Sequence, residues 1–414
     1  VSFIADRDDE LHVENVPLTS VAEQFGTPSF VYSRAALTAA FQTYDNAFAD
    51  RPHLICYAAK ANSSLAILDV FARLGSGFDI VSGGELKRVL AAGGDPRKIV
   101  FSGVGKSESE LHDALAADIL CFNVESESEL VRLQNVAAAM GCTAPVSLRV
   151  NPDVDARTHP YISTGLRQNK FGVGFEDALR LFRRAHEAQN LKVSGIDCHI
   201  GSQLTELAPL ADAARKVVEL VDQLAEDGIH VEHIDFGGGL GIRYTDESPP
   251  TADQFVRMLV DAVGQRPQTI LIEPGRSLVG NAGLLLTRVE YLKHGTEKNF
   301  AVVDAAMNDL MRPALYDAHH DIRNVRPSGS ASAEYDVVGP ICESGDFLGK
   351  SRTLAAAEGD LLAVMSAGAY AMSMSSNYNT RARAAEVMID GDTMHLVRPR
   401  ERVEDLYANE NRIP

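Results

Sequence analysis

Between residues 55 and 273 the chain repeats one pattern eight times: a short apolar run, then a segment with apolar residues at helical spacing. The runs cover 55–60, 78–82, 99–102, 119–124, 146–151, 193–200, 233–237 and 269–273. Leu65-Ala66-Ile67-Leu68-Asp69-Val70-Phe71-Ala72 is one of the intervening segments. Another is Leu111-His112-Asp113-Ala114-Leu115, and a third runs from Leu210 to Leu224 through Val217, Val218, Leu220 and Val221. Apolar residues three and four apart form one buried helical face. Eight strands separated by helices fit a closed (β/α)₈ barrel, an α/β fold. The competing architecture is a doubly wound open sheet. That sheet usually carries a glycine fingerprint after its first strand, and Ala59-Lys60-Ala61-Asn62 stands there instead.

The pattern changes after about residue 277. Runs at 284–291, 299–303, 334–338, 361–365, 385–390 and 393–397 read as strands separated by turn residues. Asp390-Gly391-Asp392 marks a tight hairpin. A length of 414 residues suits two domains. We expect the barrel over 23–278, a C-terminal all-β domain over 279–414, and an N-terminal segment, 1–22, that joins the β domain.

Composition narrows the classes of partner. The net charge is −18, with no lysine- or arginine-rich run, which argues against nucleic acid and anionic membranes. No apolar stretch is long enough to span a bilayer, and the first residues lack a signal-peptide layout. The five cysteines (Cys56, Cys121, Cys142, Cys198, Cys342) are scattered and form no CxxC pair. That pattern points to a reducing cytoplasm and to no structural metal.

The first apolar run delivers Lys60 to a strand end. An ammonium in such a place is costly to desolvate, so it is neutral, paired or chemically used. A neutral amine is a nucleophile suited to imine chemistry. A lone lysine at a strand end more commonly reaches out to water, so the other strand ends decide the matter. They are Ser82, Ser102, Asn151, His199, the Gly237-Gly238-Gly239 turn, and Glu273 to Arg276. In a barrel these ends share the face where active sites sit.

Gly237-Gly238-Gly239 follows the seventh strand and Glu273-Pro274-Gly275-Arg276-Ser277 follows the eighth. Loops at these two places commonly bind phosphate. Glycines let backbone N–H groups approach an anion, and an arginine adds charge. Each turn alone could be merely a tight turn; on adjacent strands they make a cradle. An imine-forming lysine opposite a phosphate site points to pyridoxal 5′-phosphate. Glu273, after apolar Ile270-Leu271-Ile272, is the candidate carboxylate for the pyridine nitrogen, and His199 the candidate to stack on the ring.

Tyr57-Ala58-Ala59-Lys60-Ala61-Asn62, His199-Ile200-Gly201-Ser202-Gln203, Gly237-Gly238-Gly239 and Glu273-Pro274-Gly275-Arg276 resemble the motifs of the alanine-racemase-like, fold-type III pyridoxal-phosphate decarboxylases. Three further stretches are similar to the branch that acts on diaminopimelate. They are Asp304-Ala305-Ala306-Met307-Asn308-Asp309-Leu310-Met311-Arg312-Pro313-Ala314-Leu315-Tyr316, Cys342-Glu343-Ser344-Gly345-Asp346 and Gly368-Ala369-Tyr370-Ala371-Met372. Thr164-Gly165 with Lys170-Phe171-Gly172 also matches. The resemblance runs through nearly the whole chain. Ala306, where relatives often have glycine, is a minor departure.

The resemblance implies roles. Lys60 would hold the cofactor covalently, His199 would stack on its ring, and Glu273 would pair with its nitrogen. Ser202, Gly238, Gly239, Gly275 and Arg276 would hold the phosphate, with Tyr370 assisting. Arg276, Arg312, Tyr316 and Tyr370 would face the substrate, the arginines and Tyr316 binding its distal carboxylate. Glu343 would bind the distal ammonium, and Cys342 would protonate the carbanion left by carbon dioxide. In such enzymes Cys342 and Glu343 come from the partner subunit, so a homodimer is expected. The product would be L-lysine. Rival readings are branches acting on ornithine, arginine or carboxynorspermidine, and a cofactor-binding protein without turnover. A racemase would typically place arginine where Glu273 stands.

Overall fold

A computed structural model of the chain describes residues 3–154 and 170–414. Thr164-Gly165 lies outside the described residues. The chain divides into two compact units, one of Ala40–Arg243 with Glu247–Ser277, the other of Val1–Ala39, Tyr244–Asp246 and Leu278–Pro414.

The first unit is the (β/α)₈ barrel. Its strands are His53–Ala58, Gly77–Ile80, Ile99–Phe101, Cys121–Val124, Ala144–Asn151, Leu191–Asp197, His233–Asp235 and Thr269–Ile272. Each pairs in parallel with the next, and Thr269–Ile272 closes the ring on His53–Ala58. The helices between them bury one stripe each. In Ala208–Glu226 the buried residues are Leu210, Ala213, Ala214, Val217, Val218, Leu220, Val221 and Leu224, the expected helical spacing. Capping sets where helices begin. Ser107 with Glu110 and Thr251 with Gln254 form reciprocal capping boxes, each worth about 1 kcal/mol.

The strands stop earlier than the sequence pattern indicates. The first ends at Ala58, and Ala59–Ala61 form a single 3₁₀ turn that carries Lys60 between two buried alanines. The sixth ends at Asp197 and the eighth at Ile272, so His199 and Glu273 lie just beyond their strands. Backbone pairing nevertheless holds them: Glu273 N donates to Gly237 O at 2.8 Å and Cys198 N to Asp235 O at 3.0 Å.

The second unit is built on Gly283–His294. That strand pairs antiparallel with Ser29–Ser33, Leu361–Val364 and Asn299–Val303. Ser332–Val338 with Phe347–Ala355 extends one side, and Ala385–Asp390 with Thr393–Arg398 the other. The latter two form the tight hairpin across Gly391-Asp392. Leu11, Val13, Val16 and Leu18 share one core with Leu284, Leu286, Val325, Val387 and Ile389.

One expectation needs correction. Ser29–Ser33, placed with the barrel by a boundary at 23, is a strand of the second sheet, and the barrel unit starts at Ala40. The second unit is β-rich as expected, with Leu18–Phe25 and Arg312–Tyr316 as short helices. In the latter, Pro313 at the start favours the helical turn.

Candidate active site

Lys60 leaves its turn with Nζ 2.5 Å from Oδ2 of Asp79, on the neighbouring barrel strand. The amine is therefore paired, and its carboxylate is fully buried while the lysine side chain is 37% exposed. Glu273 is buried on the last strand's end. Asn123 Nδ2 and Ser102 Oγ donate to its Oε1 at 3.3 and 3.4 Å. Carboxylate oxygens of Glu273, Asp197 and Asp235 all lie within 4.8 Å of one another, and all three residues are buried.

This crowding governs the protons. Burial, then the neighbouring Asp235, Asp79 and Asp197, raises the Glu273 carboxyl well above the usual range. Burial raises Asp235 to about 7, opposed by the Gly237 N–H that donates to its Oδ1 at 2.9 Å. Burial and Asp235 raise Asp197, while Arg149 opposes. Arg149 is itself buried, 3.2 Å from Glu125 and 3.8 Å from Asp197, and its guanidinium lies over Phe171. A group of acids this dense calls for a positive charge from outside.

His199 is half-buried by area but ringed by protein atoms. Its Nδ1 accepts the Gly238 N–H at 3.2 Å, so that nitrogen holds a lone pair. Burial, then Arg149 and Lys60, holds the imidazole well below its usual range and so neutral. A flat, neutral ring at a barrel mouth is suited to stacking.

The glycines have no room for side chains. A Cβ on Gly238 would stand 2.2 Å from Glu273 O, and one on Gly239 2.4 Å from Gly201 O. Gly237 and Gly239 also take φ of +63° and +107°. Gly275 is packed between Ala58 and Ala61. Beside this turn, Arg276 Nη2 donates to Ser202 Oγ at 3.1 Å. The barrel thus gathers Lys60, His199, Ser202, Gly238, Gly239, Glu273, Gly275 and Arg276 at the C-terminal ends of its strands.

The remaining candidates belong to the second unit. Arg312 is buried at the start of its helical turn, with Tyr316 at the end. Cys342 and Glu343 are exposed. Tyr378 donates to Glu343, and Asn379 Nδ2 stands 3.4 Å from Cys342 Sγ. Asp346 ties this loop to the 304–311 segment, accepting from Ile341 N and Met307 N at 2.7 Å each. Tyr370 takes a φ of +54° after Gly368, whose Cβ would collide with Val279 O.

Sequence reasoning missed Asp79, Asp197, Asp235, Asn123 and Arg149. One clue was available: a charged residue inside an apolar run, as in Phe78-Asp79-Ile80.

The chain is similar to known proteins over nearly its whole length. Residues 34–280 match the family described as pyridoxal-dependent decarboxylase, pyridoxal binding domain. The diaminopimelate decarboxylase of Pseudomonas aeruginosa is 60% identical over 408 residues, covering 99% of this chain and 98% of that protein. That of Haemophilus influenzae is 53% identical over 415 residues, covering all of both. Among solved structures, the Helicobacter pylori diaminopimelate decarboxylase complexed with L-lysine is 43% identical. It superposes with a TM-score of 0.92, covering 95% of this chain and 99% of that one. The M. jannaschii enzyme in co-complex with L-lysine gives 0.94 at 38% identity, covering 99% and 98%. The chain belongs to the pyridoxal-dependent decarboxylases and, within them, to the diaminopimelate decarboxylase family.

Proposed function

We propose that this protein removes carbon dioxide from meso-2,6-diaminopimelate to give L-lysine, using pyridoxal phosphate. The observation that carries the reading is the barrel mouth. The Lys60 amine, the buried Glu273 and the collision-limited Gly237–239 turn meet there in a chain resembling diaminopimelate decarboxylases over its full length.

The residues fit that cofactor. The glycine turn offers backbone N–H groups where a Cβ would collide, as a phosphate cradle requires. The three crowded carboxyls suit a protonated ring nitrogen. When bound, pyridoxal phosphate supplies an aldehyde that captures amines and a ring that accepts the electron pair left by departing carbon dioxide.

The chain's own groups do the rest. Lys60 would hold the cofactor through its amine, Glu273 would keep a proton at the ring nitrogen, and the flat neutral ring of His199 would pack against the cofactor. Ser202, Gly238, Gly239, Gly275 and Arg276 hold the phosphate, with Tyr370 contributing. At the far end of the substrate, Arg312 with Arg276 and Tyr316 binds the carboxylate and Glu343 the ammonium. Tyr370 also faces the substrate. The bond from the α-carbon to its carboxylate breaks, and Cys342 Sγ delivers a proton to that carbon. Cys342 and Glu343 act across a homodimer interface; their exposure within the single chain supports this. A charged distal end needs paired charges in the site, and arginine forks suit carboxylates.

The test is lysine formation from meso-diaminopimelate by the purified, cofactor-loaded protein, with ornithine and arginine as competitors. We expect lysine and at least about a hundredfold preference in kcat/KM over the substrates lacking a distal carboxylate. Comparable turnover of ornithine or arginine overturns the substrate assignment. Among the described residues no helix is long and apolar enough to cross a membrane.

A further inference from the structure

Arg312 is held by a residue outside the proposed roles. His320 is fully buried, and both its ring nitrogens are engaged. Nδ1 lies 2.8 Å from Met365 O, and Nε2 lies 2.8 Å from Arg312 Nη1. A carbonyl oxygen can only accept, so Nδ1 carries the proton. A guanidinium can only donate, so Nε2 carries a lone pair. The two neighbours therefore fix one tautomer and a neutral ring.

The frame behind the ring is rigid. Ile322–Asn324 pairs antiparallel with Leu361–Val364, Ile322 opposite Val364, and Met365 N donates to Asp321 O at 2.8 Å. That register sets the Met365 carbonyl against His320. On its other side the Arg312 guanidinium lies 4.7 Å from the centre of the Tyr244 ring, which meets the His320 ring edge-on at 5.3 Å.

The choice of partner matters chemically. Buried arginines are usually held by carboxylates, as Arg149 is by Glu125 here. A carboxylate in the place of His320 would set a negative charge against the guanidinium and compete with an incoming anion. A neutral imidazole fixes the fork's orientation without adding that charge. Tyr244 adds a face that steadies the cation without neutralising it.

We propose that His320 is a positioning residue: it aims Arg312 without placing a negative charge against it, and so sets selectivity for substrates with a distal carboxylate. The proposal rests on the reading that Arg312 binds that carboxylate. The test uses an isosteric pair in the cofactor-loaded enzyme. In His320→Gln the amide offers an acceptor to Arg312 and a donor to Met365 O. In His320→Glu the acceptor is present but charged.

We expect His320→Gln to keep KM for meso-diaminopimelate within about threefold of the parent. His320→Glu should raise it by about tenfold or more with a smaller change in kcat, since the lost interaction is one of binding. His320→Leu should raise KM as well; a melting curve will show whether it folds, and the isosteric pair decides without it. Equal KM values for the Gln and Glu variants overturn the proposal. Arg312→Ala separates the two claims. If it leaves KM unchanged, the Arg312 reading fails. If it raises KM while His320→Glu does not, only the positioning role fails.

Discussion

Nζ of Lys60 stands 2.5 Å from Oδ2 of Asp79, a carboxylate with no exposed surface on the adjacent barrel strand. A carboxylate in contact favours the ammonium, whereas capture of an aldehyde needs the neutral amine. In the apoprotein this contact therefore works against the nucleophilic form. Asp79→Asn removes that bias but retains a hydrogen-bond acceptor. The rate of cofactor uptake at neutral pH, followed by visible absorbance, should then exceed the parent's. An unchanged rate would mean that Asp79 does not govern the amine.

Lys60→Ala tests the anchor itself. The variant should lose the visible absorbance of bound cofactor on desalting, and turnover should fall by on the order of 10³-fold or more. A variant that carries its cofactor through desalting and turns over normally would exclude Lys60 from the chemistry.

Two buried groups pull the stability of the apoprotein in opposite directions as pH changes. Asp235 is raised from 3.8 to about 7, so its favourable contribution is complete below about 4 and is lost as pH rises through 7. Burial lowers His233 from 6.5 to about 4, so its contribution is present above 6.5 and is lost as pH falls through 4. Asp235→Asn keeps an acceptor for Gly237 N–H and deletes the first effect, together with the push that Asp235 gives Glu273 and Asp197 in the same direction. Denaturant unfolding should show this variant gaining stability over the parent near pH 7. It should also lose stability more steeply toward pH 4. Parallel pH profiles for the two proteins would show that Asp235 is not protonated on folding.

The barrel was legible because strand and helix differ in apolar period, and eight repeats of the difference leave few topologies. Lys60 and Glu273 were legible for a related reason: each is a charged residue at the end of an apolar run. Asp79, Asp197 and Asp235 have the same character but are still strand residues, where a polar residue ordinarily marks an outward face. In a closed barrel the inward face is buried as well, and there Asp197 and Asp235, opposite each other on adjacent strands, meet Glu273. Ser29–Ser33 was missed because its partners, Gly283–His294 and Ala385–Asp390, are hundreds of residues away. Nothing local distinguishes it from a barrel strand. His320 was invisible for the same reason, since its tautomer depends on a carbonyl delivered by strand register.

Gly195 and His233 are opposite each other on adjacent barrel strands. A Cβ at Gly195 would stand 2.0 Å from His233 Nε2, and the ring is buried with Cys121 Sγ 3.6 Å away. The imidazole therefore fills the space that a side chain at 195 would take. Gly195→Ala overpacks this layer and should cost about 1–3 kcal/mol of stability. Thermal melting should fall while the remaining folded protein keeps its kcat. An unchanged melting temperature would mean that the His233 ring can swing aside.

Cys342 and Glu343 are exposed within one chain, whereas Lys60 sits in the barrel of that chain. If the site is completed by a second copy, two inactive variants should repair each other. Lys60→Ala and Cys342→Ala would each be nearly silent alone, the latter through kcat rather than KM. Mixed in equal amounts and allowed to exchange subunits, half the dimers would be mixed. Each mixed dimer would join one intact Lys60 to one intact Cys342 at one of its two sites. The expected recovery is about a quarter of parental activity, from the symmetry of a two-fold dimer. Recovery near that level requires that the two residues of one site come from different chains. Full exchange without recovery would place Cys342 in the site of its own barrel or outside the chemistry altogether.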